Sequence, residues 1–460
     1  MKRLFLIPIS IFCLAFAYQR IQFTVNPEEK ICDLPLNWSV YTGNVSFRSN
    51  IAHLGENIVI GSNGGNYMDY FIDNGNGVYI LNPKTGKVQL NFANEKLGDM
   101  DVNGILVYDN KIYFGNDNDE IICADNKGKI IFRQDASGDI EHRPILIKKS
   151  NEDQIVFAME TGEVRSINPI SGKINWSFYH PNFEGYKSND NRTAFKLKMH
   201  FYSGEKFFVE PKVIDLNNDQ VDDLVYNSDD SEIFAINGKN GKLITKITTQ
   251  RPEEYYGNFN PSFHRSTPIV LNINNQPLIM IPYVCEYYGD REGAKTKSEL
   301  RFFNPSGNEI KRLSINKNLN FYMAQQRGNS IFLGSHLLDF SNGIDNYELI
   351  AYDNGIVNNY SAPRVSNEIL KIGGDDCIIM CFEMGFTMLN NEKRDYNTDL
   401  CIYNISKRKF EKIIHLQTSS EFNPILGDFN SDNNADILVG CHNGMLYNFD
   451  LGYPASSIIH

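Results

Sequence analysis

The segment VIDLNNDQVDDLVYNSDDSEIFAIN, residues 213–237, reads as strand, acidic loop, strand, turn and strand. Its loop puts Asp215, Asn217, Asp219 and Asp223 at relative positions 1, 3, 5 and 9, with the Val221 carbonyl at position 7. Alternate side chains of a tight loop turn inward, so this spacing offers oxygen ligands to a hard cation. The stretch GDFNSDNNADILVG, residues 427–440, repeats the offsets with Asp428, Asn430, Asp432, Asn434 and Asp436. A strand follows each loop at once, where an EF-hand would continue as a helix and place a Glu at position 12. Two loops of one design imply a repeated unit, and the whole chain has to be read as repeats.

Outward from these loops one pattern recurs: strand, turn, a second strand ending near Gly, a third strand, a polar Gly turn and a fourth strand. The last turn is the marker. It appears as LNPKTGK (81–87), ADNKGK (124–129), INPISGK (167–173), INGKNGK (236–242), FNPSGN (303–308) and YDNGI (352–356), with a degenerate copy YNISKRK (403–409). Asn or Asp opens each turn, and Gly supplies the positive φ in nearly all. The markers lie roughly 40 to 70 residues apart, the spacing of four-stranded blades. The chain is therefore expected to be all-β, a single β-propeller of about eight four-stranded blades, with seven as the alternative count.

The expected blades are 45–95, 99–134, 140–178, 207–248, 264–315, 318–362, 366–416 and 420–450. The last copy stops after its third strand, NGMLYNFD at 443–450, and Asn37–Tyr41 is expected to supply the missing outer strand and close the ring. Closure by the N-terminus removes an open sheet edge. The implied organisation is a signal peptide at 1–17, a lead segment at 18–36, the propeller at 37–450 and a tail at 451–460.

The signal reading rests on Lys2 and Arg3, an apolar run from Leu4 to Phe16, and the Ala15-Phe16-Ala17 cleavage pattern. It implies export to a periplasm, a cell surface or the extracellular space. No other stretch approaches the ~20 apolar residues of a membrane span. The net charge of −12 argues against nucleic acid, which needs a basic face. Seven cysteines remain beyond Cys13, most inside apolar strand-like runs, the setting of buried free thiols. Cys377 or Cys381 with Cys401 is the pair that a disulfide would most readily join.

GEVRSINPISGKINW at 162–176 resembles the repeat of quinoprotein-like (PQQ-like) β-propellers: strand, Asn-x-x-x-Gly-Lys turn, then Trp in the outer strand. The acidic loops resemble the calcium loops of FG-GAP repeats in integrin-type propellers. There are departures. Trp is kept only in the third blade and the closing strand, and position 6 of the acidic loops, usually Gly, is Gln220 and Asn433. The resemblance implies structural Ca²⁺ in the two loops. It does not imply PQQ: the two tryptophans, Trp38 and Trp176, map to outer strands, not to a cofactor platform.

Long segments fall where second-to-third-strand loops and blade connections are expected: 64–77, 179–206, 250–264, 286–298, 336–346 and 383–399. They carry Tyr67, Tyr70, Tyr186, Tyr255, Tyr256, Tyr287 and Tyr288, a composition suited to a protein or glycan partner. At the axis, His142, Arg143, Glu210, His264, Arg265 and Glu421 precede first strands and are expected to form a mixed-charge channel mouth. No nucleophile elbow, zinc-protease motif or phosphate loop is present. The expectation is a calcium-stabilised, exported scaffold that binds a partner through its long-loop face. The rivals are a polysaccharide-active or quinoprotein-type enzyme on the same scaffold, and a cell-surface adhesion module.

Overall fold

The computed structural model describes residues 31–459, apart from 47, 65–74, 94–99, 150–151, 184–206, 208, 229–231, 249–257, 262–266, 287–296, 318, 320, 322–323, 353–361, 384–386, 390–392 and 396–397. The signal-like segment and the tyrosines at 67, 70, 186, 255, 256, 287 and 288 lie outside the described residues, as do His264 and Arg265.

Among the described residues, eight antiparallel sheets of four or more strands follow one another along the chain, with one added two-stranded hairpin. Blade 4 shows the unit: Lys212–Ile214, Asp223–Ser228, Glu232–Ile236 and Leu243–Thr248, each paired with the next. Its second and third strands are wholly buried, while the outer strand alternates between buried and exposed. The reason is that each sheet packs a neighbour on both faces, so inner strands read as near-continuous apolar runs. In blade 7, Ile378 packs toward blade 6 and the next residue, Ile379, toward blade 8.

Eight buried apolar clusters result among the described residues, one for each blade interface around the ring. The last joins Phe422, Leu438 and Leu446 of blade 8 to Val45, Ile58 and Tyr79 of blade 1, with Trp38 between them. The N-terminal strand Leu36–Tyr41 pairs with Met445–Phe449 as the outer strand of blade 8. The expected ring closure is therefore the observed one.

The C-terminus continues past the closing pair. The third strand of blade 8 runs to Pro454, and Ile458–Ile459 then pairs with Ile369 and Leu370 of blade 7. Ile31, Cys32 and Leu34 pack into the cluster between blades 7 and 8.

Two expectations need correction. In blade 6 the third-to-fourth connection lies between Asp339 and Glu348, with Gly343 at φ +93°. The 352–356 sequence follows the fourth strand and is not the turn, and 336–346 belongs to the opposite face from the other long segments. Both sites read Asn, Asp and Gly, and local turn composition does not tell which connection it serves. The second correction is the disulfide. Cys377 and Cys381 face the blade 7/8 cluster and Cys401 the blade 6/7 cluster, on opposite sides of one sheet. Cys32, Cys123, Cys377, Cys381, Cys401 and Cys441 are buried thiols, none of them joined to another of the six.

Candidate functional site

Antiparallel alternation gives the ring two faces. First-to-second and third-to-fourth connections share one, here termed the turn face. Second-to-third loops and blade connections share the other, the loop face.

The acidic loops sit on the turn face and have one conformation in both copies. Asp215 Oδ1 accepts the Asp219 N–H at 3.2 Å, and Asp428 Oδ1 accepts the Asp432 N–H at 3.0 Å. The other carboxylate oxygens of Asp215 and Asp428 accept the N–H of Gln220 and Asn433. Positions 4 and 6 are left-handed in both: Asn218 at φ +60° and Gln220 at +66°, Ser431 at +63° and Asn433 at +70°. Gln220 thus holds a conformation that suits it poorly.

The carboxylates of Asp223 and Asp436 lie innermost and are fully buried. Burial, with the nearby charges of Asp219 and Asp215 adding to it, pushes the Asp223 carboxyl up to about 6, against the N–H bonds from Leu216 and Gly238. Burial raises Asp436 as well. Among the described residues, no three His, Cys, Asp or Glu side chains converge into a group able to hold a metal. The donors are nevertheless all oxygen-bearing. Asn217 and Asn430 accept the N–H of Asp219 and Asp432 with their amide oxygens, at 2.9 and 3.0 Å, and donate with their amide nitrogens to Asp223 and Asp432.

The axis mouth is built by the segments that lead into first strands. Arg143 forms a two-pronged ion pair with Glu210, Nε to Oε2 at 2.9 Å and Nη2 to Oε1 at 2.7 Å. Gly104 of blade 2 lets this segment come close, since a Cβ there would lie 2.3 Å from the Arg143 nitrogen. His142 is buried; its Nδ1–H donates to the Arg143 carbonyl at 2.9 Å, and Nε2 meets no partner. Burial holds its pKa below the ordinary 6.5. Glu421 faces His442 at 3.7 Å across blade 8.

The sequence reading missed the most buried part of this mouth. Glu141 takes Arg48 from blade 1 and the Asn103 amide from blade 2, the latter at 2.7 Å, and Asn103 in turn accepts from Asn63 at 2.8 Å. The available signal was position: Arg48, Asn103 and Glu141 each lie just ahead of a first strand, as His142 and Glu210 do. The Glu141 carboxylate is thus paired with a cation and an amide donor, which is the ordinary state of buried charge.

One constellation resembles a nucleophile with its base. Ser228 Oγ lies 3.2 Å from His180 Nε2. However, His180 Nδ1 accepts the Asn182 N–H at 3.1 Å, so the neutral ring carries its proton on Nε2. That nitrogen donates to Ser228 and cannot take its proton, and both residues are buried.

On the loop face, the second strand of blade 5 runs for 11 residues, Gln276–Glu286, and its end pairs with an added strand, Asn258–Pro261. The second-to-third connection of blade 7 carries a hairpin, Thr387–Leu389 with Lys393–Asp395.

The fold is a β-propeller of eight blades. A family model described as "Outer membrane protein assembly factor BamB" matches residues 74–259. Among solved structures, BamB from Moraxella catarrhalis is 11% identical over 91% of this chain and 98% of its own, with a TM-score of 0.51. A quinohemoprotein alcohol dehydrogenase, ADHIIG from Pseudomonas putida HK5, is 12% identical over 92% of this chain and 77% of its own, at 0.50. The Dos1 propeller is 9% identical over 91% of this chain and 95% of its own, at 0.51. No curated protein matches the chain. These likenesses concern the fold. No helix among the described residues is long and apolar enough to cross a membrane.

Proposed function

We propose that this chain is an exported scaffold, stabilised by Ca²⁺, that binds a protein through its loop face. The observation that carries the reading is where the added structure lies. The strand Asn258–Pro261, the extended end of Gln276–Glu286 and the hairpin at 387–395 all build outward on that face. Loops on a rigid scaffold are the usual carriers of binding. The family model named for an outer membrane assembly factor points the same way.

Calcium is part of this reading. Asp215, Asn217, Asp219, the Val221 carbonyl and Asp223 would hold one ion, and Asp428, Asn430, Asp432, Asn434 and Asp436 the other. The ion would supply positive charge beside the buried carboxylates of Asp223 and Asp436, which otherwise face hydrogen-bond donors and the like charges of their own loops. The residues fit a quinoprotein dehydrogenase less well. Both tryptophans are committed to packing: Trp38 donates Nε1–H to the Pro83 carbonyl at 2.8 Å, and Trp176 donates to Gln154 at 3.0 Å.

The test is capture of a partner from an envelope extract by the wild type and by a Tyr255→Ala, Tyr287→Ala double variant with unchanged melting. Loss of one defined partner in the variant supports the loop face. Equal recovery by both proteins moves the site elsewhere, first to the mouth at Arg143.

A further inference from the structure

The turn face carries its charge unevenly. On blades 5 to 8 the exposed bases have local acids: Lys311 with Asp345, Lys371 with Asp376, Lys407 with Asp375 and Arg408 with Glu348. On blades 1 to 4 the third-to-fourth turns raise Lys84, Lys127, Lys129, Lys173, Lys239 and Lys242 into solvent. None of the six takes part in an ion pair among the described residues. Asp125, in the same turn as Lys127 and Lys129, accepts their backbone N–H groups at 2.9 Å. Other acids of these blades, Glu56, Asp109, Glu152, Asp153 and the first acidic loop, sit on first-to-second loops, and Glu152 and Asp219 reach the turns, accepting from the amides of Asn168 and Asn237. The turn tips of this half-ring are therefore rich in exposed lysine, in a chain whose net charge is −12.

The turns form one continuous arc because each seats on the preceding blade. A Cβ on Gly128 would meet Leu90 at 2.6 Å, one on Gly172 would meet Gln134 at 2.7 Å, and one on Gly241 would meet Trp176 at 2.3 Å. Large aliphatic side chains stand among the lysines. Ile170, at a turn tip, is 73% exposed, Ile174 54% and Leu243 46%.

We propose that the turn face of blades 1 to 4 docks on the surface of an anionic lipid bilayer. This is independent of the partner on the loop face and leaves that face directed away from the lipid. Charge complementarity selects an anionic surface, and the residue types select lipid. Lysine is a compact, hydrated point charge that suits a diffuse layer of headgroups, whereas shape-specific anion recognition uses the arginine fork. Protein interfaces are depleted in lysine and rely on Trp, Tyr and Arg, none of which is exposed on this arc. Bare aliphatic tips flanked by lysine are the composition of segments that lie in the headgroup region.

The test is flotation with phosphatidylcholine vesicles and with vesicles containing phosphatidylglycerol. It compares the full chain with a Lys84→Glu, Lys127→Glu, Lys239→Glu triple variant and with Ile170→Ser. Binding by the apolar N-terminus would be the same with both vesicle types, so the readout is the excess of flotation with the anionic vesicles over flotation with phosphatidylcholine. The expected result is an excess of flotation of the wild type with the anionic vesicles, lost at high salt and weakened by at least about tenfold in the triple variant. Ile170→Ser should weaken binding less, at every salt concentration. Melting should be unchanged, since all four positions are exposed. Absence of that excess, or an equal excess in wild type and triple variant, overturns the proposal. Capture of an acidic protein by the same lysines without lipid binding overturns it in favour of a protein partner.

Discussion

The indole of Trp176 in the outer strand of blade 3 lies flat against the place where Gly241 of blade 4 has no side chain. A Cβ there would stand 2.3 Å from Trp176 Cε3, and Gly241 is also at φ +71°. The same arrangement joins Trp38 to Gly86, where a Cβ would come within 2.5 Å of the ring. The Gly of the repeated turn thus does two jobs at once. It takes the left-handed conformation, and it clears space for the neighbouring blade.

Gly241→Ala should therefore cost more than the backbone term alone. A left-handed alanine costs about 1–2 kcal/mol, and overpacking typically adds about 1–3 kcal/mol. Gly55 is the control: it has φ +61° but nothing within 4 Å of a Cβ, so Gly55→Ala should show only the first part. Denaturant unfolding of both variants measures the difference. Adding Trp176→Ala to Gly241→Ala should recover part of the loss, and strict additivity in that cycle would rule out the packing account.

Calcium should raise the melting temperature, and a chelator should lower it. A ligand that binds only the folded form adds about 2.7 kcal/mol at one hundred times its Kd. Asp219→Ala and Asp432→Ala should each reduce the calcium-dependent part of the shift. Identical melting with calcium and with chelator, together with metal-free purified protein, would end the calcium reading.

His142 gives a pH dependence with a definite sign. Its folded pKa is depressed from 6.5, chiefly by burial. The unfolded chain therefore takes up the proton first as pH falls. The contribution of this residue is complete above pH 6.5 and declines as pH drops below that value toward the folded pKa. Comparing His142→Gln with the wild type from pH 8 to pH 5 should show a shallower acid-side fall in the variant. Parallel curves would mean that His142 does not titrate differently on folding.

The turn motif carried much of the fold. INPISGK and its relatives specify both the φ > 0 position and the strand that follows, which is local information. The blade count and the closing strand followed from repetition. Blade 6 resisted this reading because its turn, near Gly343, departs from the motif while a similar string, YDNGI, follows the fourth strand. Tyr352 shows the same limit, since it is buried against blade 7 and its neighbours in sequence do not indicate that.

What the sequence determined by itself was periodic: strand, turn and acidic-loop spacing, each set by backbone geometry over a few residues. The two acidic loops share a conformation, left-handed residues included, because the same oxygen pattern caps the same N–H groups in both. What the tertiary structure alone decided was long-range. Arg48, Asn103 and Glu141 come together only when blades 1, 2 and 3 meet at the axis, because a charge far apart in sequence finds its partner through the ring. Cys401 is separated from Cys377 and Cys381 by the alternation of one sheet between two interfaces. The basic arc arises in the same way, from turns that are unremarkable singly and aligned only because each glycine seats on the blade before it.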